Sequence, residues 1–508
     1  MLSEIYELYK LYQIYKKLDE FRNPVAGSEV DSGVDAEVEL SLLEPKCQEI
    51  KRMVLAGGFI YIKFAQWIIS RLRSEQSGRI KYLVEYFDDI FDNCPYHSQE
   101  ETERIFKAEF GREINQVIQP GTLEPIASGS VGQVYRARLR TPEYKCPGCN
   151  DKVLATHTGQ CPVCYDDLQE ITDVAIKIKH PDVDNQVRVK SKLFSLVTRA
   201  QKIKLLKDWL SLHVDINDFV INLTMQADFT NEAMNNRIFR RNFRGNPLIY
   251  FPLVLESSPG ALITEFVGGE TLDDIQDYAQ LKCCLNYGCM VYQMVLVDNF
   301  CHGDLHHKNW KIRQISGTGT AADGDYQLVV YDYGICFQTR DISFNRDLIK
   351  AFKTFDTDIL LDNLDGLIDG EYDDQVAEFA REIILKFKAD SIDIVHLLNR
   401  FNAMLSKYNC RLTTDSLNIV ILLSLIDTTL RKQNLVGGHA VPGVVGDLLP
   451  SSNVRAKDLD VMAYARSRRA YPELTLFLES DQRIRRDNSR VVLFGVTECN
   501  GMVFDPPE

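Results

Sequence analysis

Three short runs carry residues suited to handling a chain of phosphates, and they stand in a fixed order. The run His302-Gly303-Asp304-Leu305-His306-His307-Lys308-Asn309 sets an aspartate five positions ahead of an asparagine, and LVVYDYG then brings Asp332 to the end of a strand-like segment. Asp304 can position or deprotonate an acceptor hydroxyl, while Asn309 and Asp332 offer the hard oxygen ligands that Mg²⁺ requires. Upstream, Val174-Ala175-Ile176-Lys177 reads as a strand whose lysine reaches triphosphate oxygens while its alternating neighbours are buried. Ahead of that stands Ala127-Ser128-Gly129-Ser130-Val131-Gly132-Gln133-Val134. Its small residues let backbone N–H groups approach an anion, and Ser128 or Ser130 adds a hydroxyl donor. Taken singly, a glycine pair between strands is most often a hairpin, and a strand lysine a solvated edge residue. Order and spacing together predict binding of Mg-ATP and transfer of its terminal phosphoryl group.

Two further elements complete that chemistry. Glu232, in QADFTNEAMNNRIFRRNF, is the candidate helix glutamate to pair with Lys177, although any helical glutamate can also be a surface residue. The segment Glu265-Phe266-Val267, ending ALITEFV, is expected to present backbone groups to the adenine. His302, His306 and His307 sit around a hard-oxygen site, so they read as structural and not as transition-metal ligands. After DYG the chain runs on through ICFQTRDISFNRDLIKAFKTFD with no Ala-Pro-Glu element, so the usual platform for docking a protein substrate is missing.

A separate chemistry lies in YKCPGCNDKVLATHTGQCPVCYDD, where Cys146 and Cys149 form one Cys-Pro-x-Cys knuckle and Cys161 and Cys164 another. Four thiolates on two tight turns fit a closed tetrahedral Zn²⁺ site, and so short a module has too little core to fold without metal. His157 is a spare ligand that a full cysteine set makes unnecessary. The module falls at the turn between two strands, where an addition disturbs the core least, so its expected role is structural or partner-binding.

These residues need elements to hold them. The chain has 508 residues, 45% of them hydrophobic, which is globular and long enough for more than one packed unit. Its formal charge of −14 argues against nonspecific nucleic-acid binding, which depends on a basic face. No apolar run is long enough to span a bilayer, and an amino terminus carrying Glu4, Glu7, Asp19 and Glu20 fits neither signal nor transit peptide; the expected location is cytoplasmic, with reduced thiols. A helix over 2–22, with Ile5, Leu8, Tyr12 and Tyr15 on one stripe, leads into an acidic, solvated linker at 28–44. Helical patterns follow at 49–72 and 99–110, the latter stopped by Gly111; β-rich runs at 125–140 and 172–180 flank the cysteine insert. The stretch 188–210 is a basic amphipathic helix, available to an anionic membrane surface or to packing on the core. Beyond Leu272 helices dominate, and LTLFLES and RVVLFGV near the end are β-like.

The motifs also carry a resemblance. IYIKFAQWIISR supplies Lys63 and Gln66, PIASGSVGQVY the nucleotide loop, and QADFTNEA supplies Asp228 and Glu232; together they resemble the UbiB-like (aarF-domain, ADCK) atypical kinases over about residues 50–440. The resemblance implies an α+β, bilobal protein-kinase-like fold that binds ATP and Mg²⁺, with added amino-terminal helices lying across the cleft and gating it through Lys63, Gln66 and Asp228. It also implies ATPase activity or phosphotransfer to a small, lipid or isoprenoid-related acceptor. The implied organisation is 1–45 amino-terminal helix and linker, 46–118 helical extension, 119–267 smaller lobe with the zinc insert at 143–168, 268–445 helical lobe, and 446–508 a carboxy-terminal extension. Three positions depart from the family pattern: Ala65 replaces a glycine, Gln226 replaces the glutamate expected to face Lys63, and Gly129 and Ser130 replace part of an alanine run. The rival expectations are a small-molecule kinase of aminoglycoside or choline type, which lacks the helix bearing Lys63, and a pseudokinase scaffold recruiting partners through the zinc module.

Overall fold

The structure, a computed structural model, describes residues 36–72, 78–87, 94–149, 151–154, 158–188, 216–275, 277–315, 325–339, 341–354 and 356–390, parts of 9–17 and 401–425, and Tyr471, Pro472 and Leu474. The basic stretch 188–210 beyond its first residue, His157 and the run RVVLFGV lie outside the described residues.

Helices α1 (Ala36–Gly57), α2 (Phe59–Leu72) and α3 (Gly78–Tyr86) come first, then α4 (Gln99–Phe110) and the short α5 (Ile114–Val117). α4 starts where Ser98 caps the Glu101 N–H and stops at Gly111, whose φ of 70° only glycine adopts without cost. The stretch 28–44 is not a solvated linker throughout. Its second half belongs to α1, and Leu43 is buried. Glu37, Glu39 and Glu44, three of its acids, belong to that helix. Likewise Tyr12 is exposed and Ile14 is the buried residue of the first helix, tied down by a Lys17–Glu49 ion pair at 2.8 Å.

Six antiparallel strands form the main sheet: β1 (Glu124–Ser128), β2 (Gly132–Cys146), β4 (Gln169–Lys179), β7 (Ala261–Glu265) and β6 (Val254–Ser257) in that order, with β3 (Asp151–Val153) paired to the far end of β2. β2 is 15 residues long because it runs past the sheet into the cysteine module. One face of the sheet buries Tyr135, Ala137, Val174, Ile176, Ile178 and Ile263 against Phe106 and Ile114 of α4 and α5. A second core joins α1–α3 to Val131 of the glycine-containing loop between β1 and β2 and to Leu223, Phe229 and Val254. The amino-terminal helices are thus packed onto the sheet by apolar burial.

Helices α6 (Ile216–Gln226) and α7 (Phe229–Asn242) follow β4, and β5 (Ile249–Tyr250) precedes β6. The largest core surrounds α8 (Asp277–Gln293), with α9 (Ile342–Thr354) and α10 (Asp374–Asp390) beside it. Between α8 and α9 stand β8 (Cys301–His302), β9 (Trp310–Ile315), β10 (Asp325–Val330) and β11 (Cys336–Phe337); β10 pairs with β9 and β5, and β8 with β11. Leu474, in the run read as β-like, is helical and buried in this core, and the Tyr471 hydroxyl donates to the Asn286 carbonyl.

Candidate active site

The period of two in β4 decides where Lys177 goes. Val174, Ile176 and Ile178 face the α4 core, so Lys177 projects from the opposite face, toward α7. That helix begins at Asp228, whose carboxylate accepts from the Thr230 N–H at 2.9 Å and the Thr230 hydroxyl at 2.6 Å. The cap places Glu232 in the first turn, and the Lys177 Nζ lies 2.8 Å from its Oε2. The same Nζ is 3.5 Å from Oδ1 of Asp332 and 5.0 Å from the centre of the Phe229 ring. Asn235 and Asn236, one turn beyond Glu232, donate to the carbonyls of Tyr333 and Pro252 at 2.9 Å each. One buried polar face of α7 therefore holds the lysine, the DYG turn and the approach to β6.

The charges are interdependent. Burial works against the ammonium of Lys177, but Asp332 and Glu232 more than offset it and hold its pKa above the ordinary lysine value. Burial, with Asp332 adding, raises Glu232 despite Lys177. Asp332 is enclosed by protein on most sides, which alone would raise it; Lys177, Lys63 and the Gly334 N–H together hold its carboxyl well below the usual range. Its side chain keeps 49% exposure against 7% for Glu232, so of the two it is Asp332 that can reach a ligand. Asp332 also takes a left-handed φ of 52°, a conformation that costs energy in a non-glycine residue and gathers at functional turns.

His302 joins the two acidic runs. Its Nδ1 accepts the Asp304 N–H at 3.2 Å, so its Nε2 carries the proton and donates to the Tyr331 carbonyl, also at 3.2 Å. The ring is fully buried, which lowers its pKa and keeps it neutral. Leu305 is fixed by the Tyr287 hydroxyl at 2.7 Å. Asn309 gives its amide nitrogen to the Asp304 carbonyl at 2.7 Å, which leaves the amide oxygen as its ligand atom. His306 Nε2 is 3.7 Å from the Asp304 carboxylate.

The loop at 129–132 is braced from behind. The Gly129 carbonyl accepts from Nε2 of His180 at 2.9 Å; His180 Nδ1 faces Nδ1 of His97 at 2.8 Å; His97 Nε2 meets the Thr102 hydroxyl at 2.9 Å, and Thr102 meets the Tyr135 hydroxyl at 2.6 Å. Burial disfavours the charged form of both rings, and since a carbonyl can only accept, the first link then sets the neutral tautomers: His180 donates to Gly129, His97 donates to His180, and Thr102 donates to His97. Burial, with His180 adding, lowers His97 to about 4, and burial lowers His180 as well. Gly132 is needed for contact, because a Cβ there would stand 2.6 Å from the Ile178 carbonyl oxygen; at Gly129 it would meet nothing nearer than 3.7 Å.

A cleft with about 510 Å³ of empty space gathers Lys63, Gln66, Gly129, Ser130, Gly132, Lys177, Glu232, Asp304, Asn309 and Asp332, along with Gln226, His306 and Gly334. Lys63 and Gln66 reach it from α2. Burial lowers the pKa of Lys63, against the carboxylates of Asp304 and Asp332, which face it. Other expected positions are not part of this lining. Ser128 is fully buried, its hydroxyl turned to the Pro95 carbonyl at 3.3 Å, and Ala127 and Val134 belong to β1 and β2. Asp228 serves as the α7 cap. Glu265 ends β7 with its N–H given to the Leu253 carbonyl, and the Val267 carbonyl accepts from the Tyr331 hydroxyl at 2.7 Å. The sequence reading overlooked Asn235 and Asn236; two amides at i+3 and i+4 from Glu232 are the signal that marks a buried polar helix face.

Elsewhere, Cys146, Cys149, Cys161 and Cys164 bring their sulfurs within 4.8 Å of one another. Individual separations of 3.1, 3.5 and 3.7 Å are too long for disulfides. They approach the roughly 3.8 Å expected between sulfurs held about 2.3 Å from a tetrahedral ion. The Cys149 N–H donates to the Cys146 sulfur at 3.2 Å, as a metal knuckle requires.

A lysine bracketed by two carboxylates, with an aspartate and an asparagine across the cleft, defines a site of the kinase type. The ABC1 atypical kinase-like domain matches residues 89–145 and 163–359, half of the chain, and the chain belongs to that family. Lys63 and Gln66 lie ahead of the matched span, and Cys146, Cys149 and Cys161 fall in its gap. The chain is 29% identical over 284 residues to the probable serine/threonine-protein kinase abkC of Dictyostelium discoideum, covering 54% of this chain and 35% of that protein. It is 26% identical to a mitochondrial ABC1 family protein of Schizosaccharomyces pombe (51% and 38% covered) and 27% identical to the probable protein kinase UbiB of Pseudomonas fluorescens (50% and 42%). The match thus spans less than half the length of each. A structure of Rv3197 with erythromycin from Mycobacterium tuberculosis aligns over 70% of this chain and 84% of that one, with TM-score 0.40 and 17% identity. Among the described residues no helix is long and apolar enough to cross a membrane.

Proposed function

We propose that the chain is an atypical kinase or ATPase that binds Mg-ATP in the cleft of a bilobal, kinase-like fold and transfers the terminal phosphoryl group to water or a small acceptor, lipid or isoprenoid-related compounds included. The observation that carries this is Lys177, held 2.8 Å from Glu232 and 3.5 Å from Asp332 on a cleft that also contains Asp304 and Asn309. In this reading Lys177 orients the phosphates and Glu232 keeps the lysine in register. The backbone N–H groups of 129–132 cradle the phosphate oxygens. Asp332 and the amide oxygen of Asn309 would hold Mg²⁺, which would supply positive charge to the phosphates when bound. Asp304, anchored through its N–H by His302, takes the proton of the acceptor hydroxyl.

A small acceptor is favoured because α2 brings Lys63 and Gln66 into the cleft lining and no Ala-Pro-Glu element follows the DYG turn. The four thiols are assigned to a structural Zn²⁺, for which the donor set and spacing are suited. The cytoplasmic expectation has relatives named mitochondrial standing against it; imaging of the tagged full chain separates the two. The activity is tested by nucleotide turnover of purified protein, with and without lipid vesicles. Asp304→Asn and Asp332→Asn should each lower it by at least about 100-fold, and turnover unchanged in both variants would remove the assignment.

A further inference from the structure

The cysteine module and the strand end that would meet a nucleotide's base are joined through one side chain. Lys145 is the last residue of β2 before the first thiol, and β2 stays paired to β4 up to Lys145↔Gln169, after an irregularity between Arg138 and Glu143. It also pairs with Lys152 of β3, one position into the hairpin that starts at Tyr144↔Val153 and carries Cys146. A lysine at the root of a surface module would ordinarily extend into water. Lys145 instead turns inward and pairs with Glu265, with side-chain exposures of 12% and 10%.

The pair is completed on every side. Lys145 donates to the Tyr250 hydroxyl at 2.7 Å, the Tyr250 hydroxyl donates to Glu265 Oε2 at 2.6 Å, and the Leu253 N–H donates to that same oxygen at 3.3 Å. The Tyr250 ring has the Lys145 ammonium 5.1 Å and the Arg313 guanidinium 4.4 Å from its centre. A buried carboxylate tolerates loss of its cation poorly, because the desolvated charge then has no partner. The next residue depends on the same ribbon: the Phe266 N–H donates to the Asp173 carbonyl at 3.0 Å, and Arg136 lies 4.5 Å over the Phe266 ring while pairing with Asp173. The family match breaks off at Lys145 and resumes at Val163, so the module is an addition rooted on the residue that anchors Glu265.

We propose that Lys145 is a positioning residue that transmits metal occupancy of the four-cysteine module to the backbone at Glu265–Val267, where the base of a nucleotide would be met; this last clause rests on the nucleotide reading above. With Zn²⁺ on the four thiolates, Cys146 is fixed by its sulfur as well as by its strand pairing, and its neighbour is ordered at little further entropic cost. Without the ion, the two knuckles lose their cross-link, the hairpin frays toward its root, and Glu265 loses its cation for part of the time.

The test uses full-length protein, zinc-loaded or stripped by a chelator, together with Lys145→Met, which touches no thiol. Amide hydrogen exchange at 262–268 is read beside α8 as a control for global unfolding, and the Kd of Mg-ADP is measured by calorimetry. Stripping zinc should speed exchange at 262–268 by about tenfold with α8 unchanged, and Lys145→Met should produce the same change with zinc bound and no further change on stripping. Nucleotide affinity should fall severalfold in step. The proposal is overturned if the protein holds no zinc, if exchange at 262–268 ignores zinc, or if stripping has its full effect in Lys145→Met. If exchange behaves as expected but zinc-loaded protein binds no nucleotide, the link through Lys145 stands and the nucleotide reading falls.

Discussion

The ammonium of Lys177 lies 3.5 Å from the Asp332 carboxylate while bonded at 2.8 Å to Glu232. The cation therefore has two anions to choose between, and Asp332, at 49% exposure against 7% for Glu232, is the more open to the cleft. On the proposed reading Glu232 competes for the lysine and keeps it from settling on Asp332, the aspartate assigned to Mg²⁺.

Neutralising that competitor should impair metal binding at a distance. In Glu232→Gln the ammonium is drawn to Asp332, and Mg²⁺ must displace it. We expect the Mg²⁺ concentration needed for half-maximal nucleotide binding to rise about tenfold, with metal-free nucleotide affected less; a magnesium titration of calorimetric binding measures both.

Lys63 should show the opposite sign. It faces Asp304 and Asp332 from α2, with its charge disfavoured by burial. Lys63→Met removes a cation from a cation site, so Mg²⁺ should bind severalfold more tightly. Weaker magnesium binding in the same titration would mean that Lys63 is a phosphate ligand instead.

The two loop glycines should separate folding from binding. Gly132→Ala forces its Cβ to 2.6 Å from a backbone oxygen and should cost about 1–3 kcal/mol in urea unfolding. Gly129→Ala has room in the fold and should leave the unfolding midpoint in place. Any loss of nucleotide affinity in Gly129→Ala then reports directly on phosphate approach.

The histidine pair behind the loop predicts acid sensitivity. His97 titrates at about 4 in the fold against 6.5 for an ordinary histidine, so between those values the folded state binds fewer protons than the unfolded one. Stability is full above about pH 6.5 and falls as pH drops toward 4, by at most about 1.4 kcal/mol per unit and less where water reaches the ring. Protonation of His97 adds a proton at Nε2, where the Thr102 hydroxyl at 2.9 Å can then no longer donate, and so breaks the chain of hydrogen bonds that runs through His180 to Gly129. His97→Gln should flatten the pH dependence of the urea midpoint across this window.

The family was legible because its chemistry is written in short runs: HGDLHHKN, VAIK and the loop each fold locally, and their order needs no tertiary knowledge. Glu232 is different. Fifty-five residues separate it from Lys177, and no periodicity singles it out from Glu256 or Glu270; only packing of α7 on the sheet brings the two together. In the first helix the buried Ile14 lies off the stripe through Tyr12, because a period fixes a stripe and not its phase. The acidic half of α1 read as linker because charge density was weighed above Leu43. Ser128 sits one residue from a cleft-lining glycine, and its β-strand position turns its hydroxyl to Pro95 instead.

The central claim is that the cleft between Lys177 and Asp332 is a magnesium-nucleotide site, and calorimetric titration of Mg-ADP into the full chain tests it most directly. The account predicts saturable, magnesium-dependent binding at one site, weakened at least about tenfold by Lys177→Met and made independent of magnesium by Asp332→Asn. Binding of equal strength in the wild type and both variants, or no binding by folded wild-type protein, would contradict it.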